Sequence, residues 1–362
     1  MSELTEAARG VDAPAAVALP PRRPGPPYPL VIGLLVLLLA AAGTAGIAAG
    51  SISLPAGQVW GILLHRIHPA LADQVWTPVR ETIVMDVRLP RVLLCGVIGA
   101  GLSVCGMALQ ALVRNPLADP MLLGVSSGAS VGAVGVVVFN LTLFGAFSLP
   151  FAAFAGALAA LVAVYFLARS GGRMTTVRLV LAGVATAEVL SAVASFLVVT
   201  SGDPHKAQSA VRWMLGGLAG TTWAMVGVPA AAVLLGTAVL LGVSRPLNLL
   251  LAGEEAAASL GLDVHRFRAA LFVLVAMVIG TVVAVSGTIG FVGLIMPHVV
   301  RLLVGADHRR ALPATALLGA AFLILADLFA RTLITPEEIP VGIVTALVGG
   351  PFFLWLMRRR AR

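Results

Sequence analysis

Lysine is almost absent from this chain of 362 residues, because Lys206 is the only one among 24 basic residues. A P-loop of the form G-x-x-x-x-G-K-[ST] needs a lysine that reaches the β- and γ-phosphates of a nucleotide. Lys206 stands in the sequence Asp203-Pro204-His205-Lys206, with no glycine before it. The sequence therefore excludes a nucleotide site of this type, and an ATP-driven process would need its ATPase on a separate chain.

Cysteine is nearly as rare, with Cys95 and Cys105 as the two examples. Both fall in one predicted helix, where ten residues correspond to about 15 Å of rise, too far for a disulfide. Two such residues give no disulfide framework, redox motif or metal cluster. We expect them to be small core residues.

Charge is scarce, at 11% of the residues, whereas 59% are hydrophobic and the mean hydropathy is +1.02. A soluble domain of this size carries far more charge. Apolar runs of about 20 residues recur along the chain, each long enough to cross about 30 Å of hydrocarbon. The runs are continuous rather than alternating with period two, which favours helices over a β-barrel. The sequence predicts an all-α polytopic membrane protein.

Hydropathy and breaker residues predict two regions, a disordered, proline-rich cytoplasmic tail at 1–29 and a membrane domain at 30–362 with ten transmembrane helices. The predicted spans are 30–50, 91–113, 121–139, 147–168, 179–200, 225–243, 269–288, 290–304, 311–330 and 340–357. With a cytoplasmic N-terminus, 17 of the 24 basic residues fall in inner segments. This positive-inside bias predicts a multi-pass protein of the cytoplasmic (inner) membrane with both termini in the cytoplasm. The net charge of +8 then reflects orientation rather than nucleic-acid binding.

Four charged residues do not fit the simplest pattern. Arg88, Arg91 and Arg331 fall at predicted outer ends of spans, where they either snorkel to lipid headgroups or present positive charge to an acidic partner. Glu188 falls inside a span, where a carboxylate is costly unless it faces protein or water. It is either a protonated or hydrogen-bonded structural residue or part of a substrate pathway. Asp327 and Arg331, four residues apart, are predicted to pair at the outer surface.

Two short segments carry further alternatives. Residues 253–268 (GEEAAASLGLDVHRFR) predict a short helix from Glu254 to Leu260 that ends at Gly261. It is either an amphipathic surface turn or a coupling helix that fits a cleft of a cytoplasmic ATPase.

The string Gly124-Val125-Ser126-Ser127-Gly128 matches the G-x-S-x-G hydrolase elbow, but that motif needs a strand–turn–helix context and here lies in a predicted membrane helix. No catalytic residue is predicted.

Ordered motifs over about residues 30–362 resemble those of the iron-chelate, haem and cobalamin ABC transporter permease family. The matching blocks are RLPR at 88–91, QALVRNPLADP at 110–120, LLGVSSGA at 122–129, GTIGFVGLIMPHVVR at 287–301, DHR at 307–309, LAD at 325–327 and IPVG at 339–342.

The resemblance implies a type II ABC importer permease fold that works as a homodimer. Its partners would be two copies of a cytoplasmic ABC ATPase and one extracytoplasmic substrate-binding protein, within membrane lipid and without nucleic acid. ATP and Mg would bind the ATPase, and no cofactor or metal is expected on this chain. The expected cargo is a bulky metal chelate, first a ferric siderophore, alternatively haem or cobalamin. An ion-coupled secondary transporter is a remote alternative, because it would need several intramembrane charges and repeat-related broken helices.

The resemblance also assigns roles by position. Binding-protein docking is expected at Arg88, Arg91 and Arg331. A cytoplasmic gate is expected at Asn115, Leu117, Thr176 and Val177, where Val177 departs from the small hydroxyl residues of relatives. ATPase coupling is expected at Gly253, Glu254, Glu255, Leu260 and Gly261. No role is carried over to Glu188.

Overall fold

The computed structural model describes residues 26–50, 52–170, 173–174, 176–334 and 337–360, and most of the predicted tail at 1–29 lies outside them. The described residues form fifteen α-helices. In chain order these are α1 Tyr28–Ala48, α2 Ala56–Ile67, α3 Pro78–Thr82, α4 Leu89–Val113, α5 Val125–Phe139, α6 Ser148–Ala168, α7 Thr176–Val199, α8 Pro204–Met214, α9 Gly227–Gly242, α10 Ser244–Ala252, α11 Glu254–Ser259, α12 Val264–Ser286, α13 Val292–Val304, α14 His308–Thr332 and α15 Val341–Arg360.

Irregular pieces complete the described chain. A π-helical segment, Ile83–Arg88, joins α3 to α4, and four single 3₁₀ turns lie at Pro69–Leu71, Pro120–Leu123, Gly145–Phe147 and Trp223–Met225. The strands β1 Arg169–Ser170 and β2 Arg173–Met174 pair antiparallel, with Arg169 opposite Met174.

Eight of the described helices are long and apolar enough to cross a membrane, and α5 and α13 are shorter apolar helices. Together they coincide with the ten predicted spans, so the predicted fold class is confirmed. Because α5 begins only at Val125, after the turn at Pro120–Leu123, it is shorter than the predicted span at 121–139. The first long span after α1 is in turn longer than predicted, because helical structure already begins at Pro78.

Contacts between helix ends show that α1 runs antiparallel to α4 and parallel to α14. Arg88 beside α4 contacts the end of α1, and Tyr28 at the start of α1 lies against Arg310 at the start of α14. We call the end of the bundle that holds Tyr28 the start face and the end that holds Arg88, Arg91 and Arg331 the arginine face.

Helix α4 is the centre of the bundle, since 78% of its most apolar stretch is buried, against 17% for α7. Its glycines explain the close packing. A Cβ atom on Gly99 would overlap the carbonyl of Gly319 in α14, and one on Gly106 would overlap Gly293 in α13. Small residues permit such approach in lipid, where no hydrophobic force drives helices together. Cys95 and Cys105 are buried in α4 with free thiols.

The passage from α12 to α13 is not helical. Gly287 and Phe291 have positive φ angles of 66° and 68°. The ends of this passage are held from outside, because Ser286 accepts a hydrogen bond from the backbone N–H of Gly217, and Thr288 donates to Met214. Irregular backbone at membrane depth requires such enclosure by protein.

Candidate functional site

A charge cluster occupies the arginine face. Arg91 of α4 donates to Asp327 of α14 at 2.8 Å and to Glu338, in the segment before α15, at 2.9 Å. Asp327 is buried, Arg91 nearly so, and Glu338 is 39% exposed. The guanidinium fork can bind two carboxylates at once, so this one side chain ties three elements together.

Arg88 and Arg331 both bind the last turn of α1. Arg88 donates to the carbonyls of Ile47, at 2.7 Å, and Ala48, at 2.9 Å, while Arg331 donates to Gly46. The last carbonyls of a helix have no partner within it, and cations are favourable there. Both arginine residues are 6% exposed. Their role in docking the binding protein stays a prediction. In the single chain, both side chains are buried rather than presented at the surface.

The predicted pairing of Asp327 with Arg331 is confirmed, although the pair is buried rather than exposed at a surface. The two side chains do approach within 3.5 Å, but both are buried beside Arg91. The i, i+4 spacing predicts the contact, whereas the burial comes from Arg91 of a distant helix. Glu338 was not singled out from the sequence, because it approaches Arg91 only through the fold.

The predicted gate loop at the start face is a tight turn. Arg114 has a φ of 54° and ends α4, and Asn115 accepts a hydrogen bond from the backbone N–H of Leu117 at 2.9 Å. The side chain of Asn115 is exposed and that of Leu117 half-buried. Asn-Pro breaks the helix here, since the residue before a proline avoids the α region.

Asp119 joins this loop to the α12–α13 passage and was not singled out from the sequence. Its carboxylate accepts hydrogen bonds from the backbone N–H of Met121, at 2.8 Å, and from that of Phe291. Burial raises the pKa of this carboxyl group, and the two hydrogen bonds oppose the shift. The sequence Asp119-Pro120 could have indicated this role, because an aspartate before a turn accepts a hydrogen bond from the backbone N–H two residues further on.

The other predicted gate residues lie at the start of α7. Val177 is exposed, and the side chains of Thr176 and its neighbour at 175 lie outside the described part of the chain. The gate role of all four residues stays a prediction.

Gln110, a buried residue near the loop, was not singled out from the sequence. Its side-chain oxygen accepts a hydrogen bond from Arg301, and its side-chain nitrogen lies 3.4 Å from the carbonyl oxygens of Gly293 and Leu294.

The predicted coupling segment is a separate helix. Gly253, with a φ of 121°, precedes α11, which ends one residue earlier than predicted. After it, Gly261 adopts a φ of 85° and donates to Ala258 at 2.9 Å, while Leu262 donates to Ala257 at 3.0 Å. These two bonds form a Schellman motif, which requires a left-handed residue at the position of the glycine.

The surface of α11 divides into an inner and an outer side. Ala257 is buried against Leu250 and Val264, and Glu254 forms an ion pair of 2.8 Å with Arg268 of α12. Glu255 and Leu260 are exposed, Leu260 by 68%. The helix is therefore fixed to the bundle on one side and offers an acidic and an apolar side chain on the other.

Helix α7 has an unusual exposed stripe. Glu188 is exposed halfway along it and forms no hydrogen bond or ion pair with the described residues. At 100° per residue, its face also carries the exposed residues Leu181, Val184, Ala185, Ser191, Ala192 and Ser195. The prediction of a structural glutamate bonded within the chain receives no support from this position.

Ten apolar helices packed side by side, with a short separate helix exposed at the start face, define a multi-pass helical membrane protein. Residues 35–359 match the FecCD transport family, and the chain belongs to this family.

Relatives and a solved structure agree with this assignment. The chain is 48% identical over 281 residues to the cobalamin import system permease protein of Halobacterium salinarum, with 77% of this chain and 74% of the relative covered. It is 41% identical to the hemin transport system permease protein of Yersinia pestis, covering 91% of this chain and 96% of the relative. A metal-chelate type ABC transporter in an inward-facing conformation matches with a TM-score of 0.79 and 33% identity, over 92% of this chain and 100% of that one.

Proposed function

We propose that this chain is the permease subunit of a binding-protein-dependent ABC importer for a bulky metal chelate. The observation that carries the proposal is the family match over residues 35–359, together with a fold match that covers 100% of a metal-chelate type transporter chain. The family places the ATPase on another chain, which agrees with the single lysine outside any P-loop.

The start face is proposed to be cytoplasmic. Most basic residues fall in the segments at this end, as the positive-inside rule requires. The ATPase then contacts the exposed side of α11, through Glu255 and Leu260, and the gate at Asn115 and Leu117 closes the same end. The substrate-binding protein docks on the arginine face, where Arg88, Arg91 and Arg331 supply the positive charge.

The cargo is proposed from relatives rather than from a residue of this chain. The relatives named above carry cobalamin and hemin in their names, which supports these two cargoes at least as well as a ferric siderophore. All three are bulky chelates, so a weakly selective pathway and a selective binding protein would serve any of them.

The pathway is proposed to run along the Glu188 stripe of α7 in a homodimer. A carboxylate at the middle of a span is not stable against lipid tails, and small and hydroxyl residues beside it suit a helix interface or a water-filled path. Two copies of the stripe that face each other would give a central path lined by small and aliphatic side chains around Glu188.

The first experiment is ATP-dependent uptake into proteoliposomes that contain this chain, its co-purified ATPase and the cognate binding protein. The substrates are cobalamin, haem and ferric siderophores, each offered alone. We expect uptake of one class that stops when the binding protein is omitted or Arg88 is changed to Glu. Active ATPase without uptake of any class would remove the proposed cargo, and absence of any associated ATPase would reopen the secondary-transporter alternative.

Glu188→Ala tests the pathway. We expect a changed uptake rate or substrate preference with normal dimer assembly, and Glu188→Gln as the conservative control should keep more of the wild-type rate. Loss of assembly in both variants would show that Glu188 holds the structure rather than the cargo.

A further inference from the structure

An apolar groove of about 440 Å³ opens between α1, α4 and α9 on the side of the bundle, next to the arginine face. Its walls are almost purely aliphatic and include two glycines, Gly43 of α1 and Gly96 of α4, which make room where other residues would fill it. Thr44 is the polar side chain of the wall, and its hydroxyl donates to Ala40 at 2.9 Å. Along α1, α4 and α9 the groove therefore offers no unsatisfied polar side chain to water or to a hydrophilic cargo.

The depth of the groove matches one leaflet of a bilayer. Its wall runs from Leu39 to Ile47 on α1 and from Leu89 to Ala100 on α4, which is about 12 Å and about 16 Å of helix rise. Half the hydrocarbon thickness of a membrane is about 15 Å. Because α1 and α4 are antiparallel, both stretches cover the half of the bundle nearest the arginine face.

Helix α2 covers the end of the groove at the arginine face. Trp60 of α2 lines the groove, is 48% exposed, and its indole N–H has no acceptor among the described residues. A tryptophan at the membrane interface places its ring in the apolar region and its N–H toward polar headgroup atoms. The groove thus ends in a donor at the depth where a lipid carries its ester and phosphate oxygens.

We propose that this groove binds one acyl chain of a phospholipid from the leaflet at the arginine face, with the lipid's ester or phosphate oxygens at Trp60. The surroundings favour lipid over a second copy of the chain. The rims present large aliphatic residues, such as Leu37 of α1 and Leu234 and Leu235 of α9, each 66–70% exposed. Helix interfaces in membranes are instead rich in small and polar residues, as the Glu188 stripe is.

The test uses the complete transporter in vesicles of phosphatidylethanolamine and phosphatidylglycerol that contain a trace of phospholipid with a photoreactive diazirine on its acyl chain. After irradiation, adducts are mapped on peptides. We expect them to concentrate at 39–47 of α1 and 89–100 of α4. Gly43→Leu should fill the groove, because a Cβ atom at Gly43 meets nothing within 4 Å.

Gly43→Leu should lower the α4 adducts about tenfold, the equivalent of about 1.4 kcal/mol and of about two buried methylenes. Gly33→Leu is the matched control, since Gly33 lies on the same helix, is equally open and lies outside the groove. It should leave the α4 adducts unchanged. Equal labelling of α4 in wild type and Gly43→Leu would overturn the proposal. So would a disulfide between two copies of Gly43→Cys, because a second chain would then occupy the groove.

Discussion

The ion pairs at the two ends of the bundle differ in how much water they retain. At the arginine face, Arg91 and Asp327 are 12% and 2% exposed, and the pair is shared with Glu338. At the start face, Arg266 and Asp263 are 90% and 55% exposed, and in the pair of Arg268 with Glu254 the arginine is 4% and the glutamate 44% exposed.

This difference separates two kinds of surface. A buried pair is costly to assemble, and removal of one partner leaves an uncompensated charge in the interior. An exposed pair contributes little, because water screens it. The arginine face is thus a fixed platform whose charges hold helices α1, α4 and α14 in place. The start face keeps the carboxylates of Glu254 and Asp263 accessible to a partner and owes its shape to local backbone geometry.

Asp327→Ala is the largest expected effect, because both Arg91 and Arg331 lose a buried counter-charge. Loss of one partner of a buried pair costs about 3–5 kcal/mol. Thermal unfolding in detergent measures this loss of stability. A maleimide dye reports the transition, because it labels the buried thiols of Cys95 and Cys105 only when α4 unpacks.

Glu337→Ala is the control for this variant, since Glu337 is exposed near the same cluster and forms no ion pair with the described residues. It should unfold like the wild type. Similar unfolding of Asp327→Ala and Glu337→Ala would mean that the buried network does not hold the arginine face.

Gly261→Ala tests whether backbone geometry shapes the start face. A Cβ atom at Gly261 meets nothing within 4 Å, so the expected cost comes from its φ of 85° alone. A left-handed conformation costs a residue with a side chain about 1–2 kcal/mol. Gly242→Ala, at an equally open glycine without a positive φ, is the control and should cost nothing in the same unfolding assay. Equal unfolding of the two variants would contradict the Schellman geometry after α11.

Glu254→Gln should have a smaller effect on stability than Gly261→Ala. Arg268 is 4% exposed but Glu254 is 44% exposed, and glutamine can still accept a hydrogen bond from the guanidinium, so the expected loss is about 0.5–1 kcal/mol. The ATPase should still co-purify, while ATP hydrolysis stimulated by the binding protein falls because α11 is less firmly tied to Arg268. Glu255→Gln, one residue away and unpaired within the described chain, should unfold like the wild type. A larger loss of stability in Glu255→Gln than in Glu254→Gln would contradict the assignment of the stabilising ion pair to Glu254 and Arg268.

The ten spans were predictable because each is a local property of about 20 residues, and glycine and proline mark their ends. The same holds for Gly261, whose role follows from its place after a short helix. The burial of Arg88 was not predictable, because it depends on the end of α1, about 40 residues away. Likewise, Arg91 meets Glu338 across 247 positions. Hydropathy assigns such residues to a face but does not say whether they point outward or into a network.

Arg266→Ala is the smallest expected change and the strictest test of the contrast between the faces. Arg266 pairs with Asp263 at 3.2 Å, yet both side chains are largely in water, so loss of the pair should change the free energy of unfolding by no more than about 0.5 kcal/mol. Asp263 should keep its second role, because its carboxylate caps α12 by accepting from the backbone N–H of Arg266, which alanine retains. Asp263→Ala removes the cap as well and should cost about 1 kcal/mol more. If Arg266→Ala costs as much as Asp263→Ala, the exposed ion pair rather than the cap fixes the start of α12, and the two faces would then depend on their charges alike.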